Sequence, residues 1–532
     1  MKKTCMLLAA VIIISFLIRI VISWQNITVL VQKVLLDDSL YVISIARNIA
    51  WGNGVTYNGV DATNGFQPFW GFLLVPIFLA TRDIYTAINL ILTLSSIIDT
   101  LTVVVLFMLA KKLFDEKIGL LSATLYGLNP LIMFQTLCGI ELVLYIFLLL
   151  TTIFFYISFK DKLNTKNSIF LGVLLGLTTL ARMDGIFLVF VIIMDIILTN
   201  RKRWTKEIRK VIIIVLFASL LVLPWFLWSY VNFGTIVQSS AIAKYNMGHG
   251  IFPFFDLKEP KTFSETLSMI KENLIRAVGS LAHQLGVVDF NISIITIILS
   301  LVYLTTIVIS LKNLNKLRLY LAFSILLILF YNLYLWGIQI RYLTPIIPLI
   351  IIMTSYGFYN LAIRIKKSDV IVTAFFVLFL LVIFYNGFIQ WDHGYFSWQK
   401  EIYKDALWLR DNTTSSDSIG CFSAGIPIYF SERRVVNLDG VVNFKAIKAL
   451  EKRDVIEYMK SENITIWIDS VYFNQTVTDE YLKGRKIDIL KENIWNDFLG
   501  NDNLELIEKT EGVYNHLRGF DMLIVFFIAR VN

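Results

Sequence analysis

The amino-acid sequence predicts a polytopic α-helical membrane protein, with about 11 transmembrane helices and a C-terminal α/β extracytoplasmic domain. Hydrophobic residues make up 57% of the 532 residues and charged residues only 17%, whereas a soluble domain carries about 25% charged residues. Apolar runs of spanning length, roughly 17–25 residues, recur up to residue 390 and stop there. A soluble globular chain and a disordered chain are therefore excluded.

The apolar runs place the transmembrane helices in order along the first 390 residues. The first run follows Lys2 and Lys3 as in a signal peptide, but it lacks a small-x-small cleavage site, so we interpret it as a retained anchor. We expect a transmembrane catalytic domain at residues 1–390, with outer loops at 24–86 and 231–290, followed by a separate domain at 391–532. The predicted spans lie near residues 6–23, 87–110, 118–137, 142–158, 168–182, 186–199, 211–230, 291–311, 319–339, 343–363 and 370–390.

Lysine and arginine are distributed unevenly along the chain. Residues 1–390 hold 31 Lys and Arg against 18 Asp and Glu, while residues 391–532 hold 17 against 22. About twenty of the positive charges fall at the N-terminus and in alternate connections, on one side of the membrane if there are eleven spans. Because positive loops stay in the cytoplasm, we expect a multi-pass protein of the cell membrane with a cytoplasmic N-terminus and the C-terminal domain outside. The net charge of +8 then marks topology and does not indicate a nucleic-acid partner.

The C-terminal region alternates helical and β-branched stretches. Helical periodicity covers residues 397–411 and 443–461, and strands are predicted at 418–423, 434–438, 464–469 and 520–531. Strands that alternate with helices suggest a mixed or parallel sheet. The last apolar run, of twelve residues, is too short to span a membrane.

Cysteine and histidine give no sign of a metal centre. The three cysteines lie far apart and fit neither a disulfide framework nor a CxxC metal site. The four histidines form no zinc-binding motif. We therefore expect no metal site of this kind.

Ionisable residues cluster at the predicted outer ends of the helices. Charged groups in or beside a span are costly, and they are candidates for function for that reason. Their convergence on one face is the layout expected of an active site at the outer membrane interface. They are Asp37 and Asp38 in the first loop, Glu141, Arg182 and Asp184 at helix ends, Lys244 and His249 after the seventh span, and Arg341 between the ninth and tenth.

The adjacent pair Asp37 and Asp38 is the main candidate for acid–base chemistry. Two neighbouring carboxylates repel each other, and near a low-dielectric interface at least one should have a raised pKa. Such a group suits general-base work on a hydroxyl. The alternative is a solvated acidic turn that caps the helix predicted at Ser39–Trp51.

The cations of the same face are candidates for holding a phosphate. A guanidinium fork such as that of Arg341 matches phosphate geometry, and the alternative for it is snorkelling at a helix end. Lys244 is either a second phosphate cation or loop charge. Arg182 and Asp184 either contact substrate or form a local ion pair. Asp99, in the middle of a span, has no evident partner and receives no role.

Several motifs along the chain resemble those of the GT-C glycosyltransferases, the polytopic enzymes that use polyprenyl-phosphate sugars. The resemblance extends over almost the whole chain and is strongest to the arabinofuranosyltransferase-like branch, beside the protein mannosyltransferases and aminoarabinose transferases. Two positions depart from the pattern, since Leu142 replaces a small hydroxyl residue and Ser229 replaces an asparagine. The matching motifs are Asp37–Tyr41, Ala46–Asn48, Trp51–Gly54, Asn64–Trp70, Gly139–Glu141, Leu180–Gly185, Pro224-Trp225, Ser240…Lys244, Arg341-Tyr342 with Pro345 and Pro348, and Ala424–Ser431 with Val436–Gly440.

The resemblance implies a mechanism and a set of roles. The enzyme would be an inverting hexosyl- or pentosyltransferase that moves a sugar from a dolichyl-, undecaprenyl- or decaprenyl-type phosphate to a glycan, lipid or protein acceptor of the cell envelope. Asp37 would be the base and Asp38 would position the acceptor or the base, while Arg341, Lys244 and Tyr342 would bind the donor phosphate. No cofactor would be required, although the acidic dyad could bind a divalent cation. Sugar or acceptor contacts would come from Glu141, Arg182, Asp184, Asn64, Gln67 and His249.

Two other classes of function compete with the enzyme. A transporter or flippase of a lipid-linked saccharide should carry charges at the membrane midplane and inverted repeats. Here the ionisable residues lie at one face and no repeat is visible. A receptor would leave the acidic dyad and the basic residues without a purpose. The sequence therefore favours the glycosyltransferase.

Overall fold

The computed structural model describes residues 2–199, 204–248, 263–286, 294–334, 340–364, 369–394, 396–452, 454–472, 504–509, 513–515 and 522–531. Helices dominate the first part of the chain. They are α1 (Lys2–Ser23), α2 (Ile27–Lys33), α3 (Asp37–Ala50), α4 (Pro68–Ala80), α5 (Ile84–Leu113), α6 (Glu116–Gly127), α7 (Pro130–Thr136), α8 (Leu142–Phe159), α9 (Thr165–Ala181), α10 (Ile186–Thr199), α11 (Trp204–Phe233), α12 (Ser239–Gly248), α13 (Phe263–Gln284), α14 (Ile294–Ser310), α15 (Leu314–Tyr334), α16 (Ile340–Leu343), α17 (Ile347–Arg364) and α18 (Asp369–His393).

Each predicted span overlaps a helix of this bundle. Length and apolar composition qualify six helical segments of the described residues as spans, or seven if the bent pair α6 and α7 counts as one. The shorter apolar helices include α9 and also α4, which lies inside the stretch predicted as the first outer loop. The protein is thus a multi-pass helical membrane protein, and the number of eleven spans stays a prediction.

The predicted span at 118–137 is broken. Helices α6 and α7 meet at an angle of 67°. Asn129 caps α7 by accepting hydrogen bonds from the N–H groups of Leu131 and Ile132, and Pro130 occupies the first helical position. Proline at that position and an asparagine cap are the normal start of a helix, so the bend has a local cause.

Asp99, which had no evident partner in the sequence, is the centre of a buried polar network. One carboxylate oxygen is 2.6 Å from Arg19 and accepts from the hydroxyl of Thr136 at 2.8 Å. The other accepts from the hydroxyl of Tyr126 at 2.8 Å. Arg19 also donates to the carbonyl oxygen of Gly127 at 2.9 Å. The network therefore holds α1 against α5 and against both sides of the α6–α7 bend.

The C-terminal domain contains a mixed sheet, as the alternation of elements suggested. The described strands have the order β2-β1-β3-β6-β4, and β5 pairs with β6. Strands β2 and β3 run parallel to β1, and β6 runs antiparallel to its neighbours. The elements are α19 (Gln399–Asn412), β1 (Ser418–Cys421), α20 (Gly425–Phe430), β2 (Arg434–Asn437), α21 (Phe444–Lys452), α22 (Val455–Ser461), β3 (Ile464–Tyr472), β4 (Leu504–Lys509), β5 (Val513–Asn515) and β6 (Met522–Val531).

The C-terminal domain is docked on the first loop of the bundle. Arg47 of α3 donates to the carbonyl oxygens of Ile428 and Tyr429, at 3.3 and 3.0 Å. Lys445 of α21 forms an ion pair with Asp61 of the first loop at 3.1 Å. The hydroxyl of Tyr41, in the first half of α3, accepts from the N–H of Ala424 at 2.9 Å and donates to the carbonyl oxygen of Phe422 at 3.3 Å. The loop that follows β1 therefore lies beside the part of α3 where the acidic dyad is.

Candidate active site

A cavity of about 380 Å³ opens between the bundle and the docked domain. Its wall is formed by the first loop, helix ends of the bundle, α12 and the loop after β2. Of the predicted site residues, Asp37 and Asn64 are outside this wall, and His249 is outside the described residues. The predicted residues that line the cavity are Asp38, Gln67, Glu141, Arg182, Asp184, Lys244, Arg341 and Tyr342.

Asp38 and Arg341 form an ion pair in the cavity wall. The two side chains are largely buried, with 31% and 13% of their surface exposed. Burial by itself would raise the pKa of Asp38, but the guanidinium of Arg341 and the ammonium of Lys244 outweigh it and hold the pKa below its usual value. Asp38 is therefore ionised at neutral pH.

Lys244 is the less engaged cation of the cavity. It projects from α12 and is half-buried. Among the residues that the structure describes, none is within ion-pair distance of its ammonium group. Its positive charge nevertheless lowers the pKa of two carboxylates, those of Asp38 and of Asp439 in the loop after β2. The ammonium therefore lies between the bundle and the docked domain and can accept an anionic ligand.

Asp37 is turned toward the C-terminal domain. Its carboxylate accepts hydrogen bonds from the N–H groups of Gly425 and Ile426, at 3.3 and 2.7 Å. Burial and the negative charge of Asp38 raise the pKa of Asp37 to about 7, against the effect of the two amides. The two neighbouring carboxylates thus have opposite pKa shifts, and Asp37 is the one that exchanges a proton near neutral pH.

Arg182 lies in a saturated network at the other end of the cavity. Its guanidinium is 3.0 Å from both Glu141 and Asp184, and it donates to the hydroxyl of Tyr331 at 2.7 Å. That hydroxyl donates to Asp184 at 2.6 Å. The local ion pair between Arg182 and Asp184 is therefore present and includes Glu141 as well. Because the guanidinium already donates to Glu141, Asp184 and Tyr331, the carboxylate oxygens are the main groups that this end offers to a ligand.

Asn64 and Gln67 differ in their position relative to the cavity. Asn64 is fully buried; it donates to Ser229 at 2.7 Å and accepts from the N–H of Ser239 at 3.0 Å. It thereby joins the first loop to α11 and to the start of α12. Gln67 lines the cavity and donates to Gln238 at 3.3 Å.

The structure adds site residues that the sequence did not single out. Tyr41, Gln238, Tyr331 and Tyr334 line the cavity. Burial raises the pKa of Asp439 to about 6, against the attraction of Lys244. A sequence signal existed for Asp439, since it lies in the Val436–Gly440 motif, but no signal tied that motif to the cavity. Tyr41 lies in the Asp37–Tyr41 motif, whereas for Tyr331 and Tyr334 we find no signal in the sequence.

One side of the cavity is apolar. Ile186 and Phe187 at the start of α10 face Phe330 of α15 across this side. Ile186 is 54% exposed although it belongs to an apolar helix of the bundle. The cavity therefore joins an ionised end to an apolar surface.

The described residues hold no obvious metal site. No three His, Cys, Asp or Glu side chains in that part of the chain are grouped as a metal ion would require. Binding of a cation by the acidic dyad stays a prediction without a test, and so does the expectation that no cofactor is needed.

Comparison with families of known proteins gives two matches. Residues 72–228 match the family described as dolichyl-phosphate-mannose-protein mannosyltransferase. Residues 393–511 match a domain of unknown function, DUF8728. A comparison with curated protein sequences finds no match.

Solved structures similar to this chain cover both the bundle and the C-terminal domain. ArnT from Cupriavidus metallidurans in the apo state has a TM-score of 0.58 at 10% identity, covering 99% of this chain and 98% of that one. ArnT bound to undecaprenyl phosphate gives 0.58 at 10% identity, with 97% of each chain covered. The oligosaccharyltransferase AglB from Archaeoglobus fulgidus, in complex with an inhibitory peptide and a dolichol-phosphate, gives 0.54 at 14% identity, covering 89% of this chain and 70% of that one. The chain has the GT-C fold. The resemblance found in the sequence motifs is thus confirmed at the level of the fold.

Proposed function

We propose that this GT-C chain is an inverting glycosyltransferase that moves a sugar from a polyprenyl phosphate to an acceptor outside the cytoplasm. The observation that carries the proposal is the cavity, which brings Asp38, Lys244 and Arg341 together from distant parts of the sequence beside an apolar surface. A lipid-linked phosphate needs both features, cations for the phosphate and an apolar path for the chain. The similar structures that contain undecaprenyl phosphate or dolichol-phosphate support this class of donor.

The donor phosphate is expected at the Lys244 and Arg341 end of the cavity. Cations there stabilise the negative charge that builds on the phosphate oxygen as the bond to the sugar breaks, and preorganised charges of this kind supply much of the catalysis. Tyr342 lines the same end. The lipid chain would leave along Ile186 and Phe187, and the sugar would lie toward Glu141 and Asp184.

Asp37, which neighbours Asp38 of the cavity wall but does not itself line the cavity, is the proposed general base. Its pKa of about 7 lets it take a proton at neutral pH, which is the property a base requires. The proton moves from the acceptor hydroxyl to Asp37, the acceptor oxygen forms a bond to the anomeric carbon, and the bond from that carbon to the phosphate oxygen breaks. The electron pair stays on the phosphate, held by Arg341 and Lys244. Asp38 holds Arg341 in place.

The test is an assay of the purified full-length protein with a panel of radiolabelled polyprenyl-phosphate sugars, both hexosyl and pentosyl. Asp37→Asn should abolish transfer while binding of the lipid phosphate persists. Arg82→Ala serves as control for Arg341→Ala, because Arg82 is an exposed arginine that lies over Trp51, away from the cavity. If no donor is consumed, or if Asp37→Asn and Arg341→Ala keep full activity, the proposal is wrong.

The proposed topology has its own test. Cys138 and Cys421 are buried and Cys5 is exposed, so a Cys5→Ser variant is a suitable background for labelling. We expect Asp411→Cys, in the C-terminal domain, to react with an impermeant maleimide on intact cells. Lys111→Cys, in a basic connection, should react only after permeabilisation. Labelling in the reverse order would place the C-terminal domain in the cytoplasm.

A further inference from the structure

The main chain of Asp37 is held by a buried side chain of the C-terminal domain. Gln399, the first residue of α19, is only 1% exposed. Its amide nitrogen donates to the carbonyl oxygens of Val31 and Leu35, at 2.8 and 2.7 Å. Its amide oxygen accepts from the N–H of Asp37 at 2.8 Å. One glutamine thus satisfies three backbone groups around the start of α3.

The carboxylate of Asp37 is held by the same domain. The N–H groups of Gly425 and Ile426 donate to its two oxygens. Gly425 also packs tightly on the main chain, since a Cβ atom at this position would lie 2.1 Å from the carbonyl oxygen of Asp37. That distance is far below van der Waals contact, and the obstacle is backbone, which cannot turn aside. Only glycine fits while both amides remain in place.

We propose that Gln399 and Gly425 are positioning residues for catalysis, and that the C-terminal domain completes the active site by holding Asp37. This inference rests on the proposed role of Asp37 as base. It assigns a task to the region that matches a domain of unknown function, namely fixing the main chain and the carboxylate of the base from two sides.

Position and basicity should both depend on these contacts. A misplacement of about 1 Å can lower a rate about 10²-fold. Hydrogen bonds to the ionised form of a carboxylate lower its pKa, so loss of the two amides raises the pKa of Asp37. The titratable groups around it are Asp38 and Tyr41 on α3 and Cys421 and Asp439 on the C-terminal domain, and the variants below leave all four unchanged.

The experiment compares Gly425→Ala and Gln399→Asn with the wild-type full-length protein. Both variants should lower kcat, by about 10²-fold for Gly425→Ala, while the KM for the lipid-linked donor stays within about twofold, because the phosphate cations are untouched. In Gly425→Ala the acid limb of kcat/KM should also move to higher pH. Gly279→Ala is the control, since a Cβ atom at Gly279 in α13 meets nothing within 4 Å.

A purely structural role predicts a different result. If the substitutions only reduced the fraction of folded protein, the apparent kcat would fall but the acid limb of the kcat/KM profile would not move. Gel filtration and thermal unfolding would then show the loss of folded protein. Gln399→Asn shortens the side chain by one methylene, so it tests the contact even if Gly425→Ala does not fold. If the folded variants keep the wild-type kcat and pH profile while Asp37→Asn is inactive, this inference fails and the proposed function stands. If Asp37→Asn is active, the proposed function itself fails.

Discussion

Replacing Asp99 by alanine should destabilise the transmembrane bundle by about 3–5 kcal/mol. The magnitude follows from the buried state of its partner, because Arg19 is fully buried and would keep its charge without a counterion. The hydroxyl of Thr136 keeps its hydrogen bonds to the carbonyl oxygens of Ile132 and Met133, each at 3.2 Å. Losing its hydrogen bond to Asp99 therefore costs little stability. The uncompensated guanidinium dominates the cost.

The double variant Arg19→Met with Asp99→Leu separates charge from packing. Without either charge the bundle should recover most of the lost stability, since apolar replacement of a buried ion pair is often neutral. Glu116→Ala is the control: Glu116 pairs with Lys111, which is 49% exposed, and such a pair contributes little to stability. Thermal unfolding of the purified protein in one detergent compares all variants. An Asp99→Ala variant as stable as the wild type, or a double variant as unstable as the single, would refute the reasoning.

Three further predictions concern the reaction. The kcat/KM for transfer should rise as the pH is raised through about 7. The reason is that burial and the charge of Asp38 raise the pKa of Asp37, and only the ionised carboxylate of Asp37 can accept a proton. A kcat/KM that does not change across pH 7 would contradict the assignment of Asp37 as base. Arg341→Ala should lower kcat about 10²–10³-fold, the typical loss for one group that stabilises a developing oxyanion, and an equal loss in Arg82→Ala would show that the effect is not local. Lys244→Ala should weaken binding of the polyprenyl phosphate about tenfold, because one charge-assisted contact is lost, and Lys244→Arg should restore the binding. If calorimetry finds that Lys244→Ala binds the polyprenyl phosphate with unchanged affinity, Lys244 is not part of the phosphate site.

The sequence predicts the bundle well because each span carries its own signal. Apolar runs of spanning length appear wherever a helix buries its surface in lipid or in its neighbours. The bend between α6 and α7 also had a local signal, the pair Asn129-Pro130 that starts a helix. Helix α4 is apolar but has only 13 residues, fewer than any of the predicted spans.

Pairings between distant residues could not be predicted in the same way. Asp99 and Arg19 are 80 positions apart, and nothing in the sequence around either residue indicates that the other is its partner. The dyad shows the same limit: adjacency predicted that one carboxylate would have a raised pKa, but the choice of Asp37 depends on the C-terminal domain and on Arg341. Tertiary contacts, and not local pattern, decide which neighbour is the base.

The distribution of charge along the cavity argues for a donor with a single phosphate. At one end Arg182 is matched by two carboxylates, Glu141 and Asp184, which leaves one excess negative charge. At the other end the cavity wall holds two cations, Arg341 and Lys244, and one carboxylate, Asp38, which leaves one excess positive charge in the wall. Asp439, which also interacts with Lys244, lies outside the wall and offsets part of that charge. A sugar linked to a lipid through one phosphodiester carries one negative charge beside a ring of hydroxyl donors, so its phosphate fits the positive end and its hydroxyls fit the carboxylates. A diphosphate would bring a second negative charge close to Asp38. The described cavity wall has no further cation at this end to balance that charge.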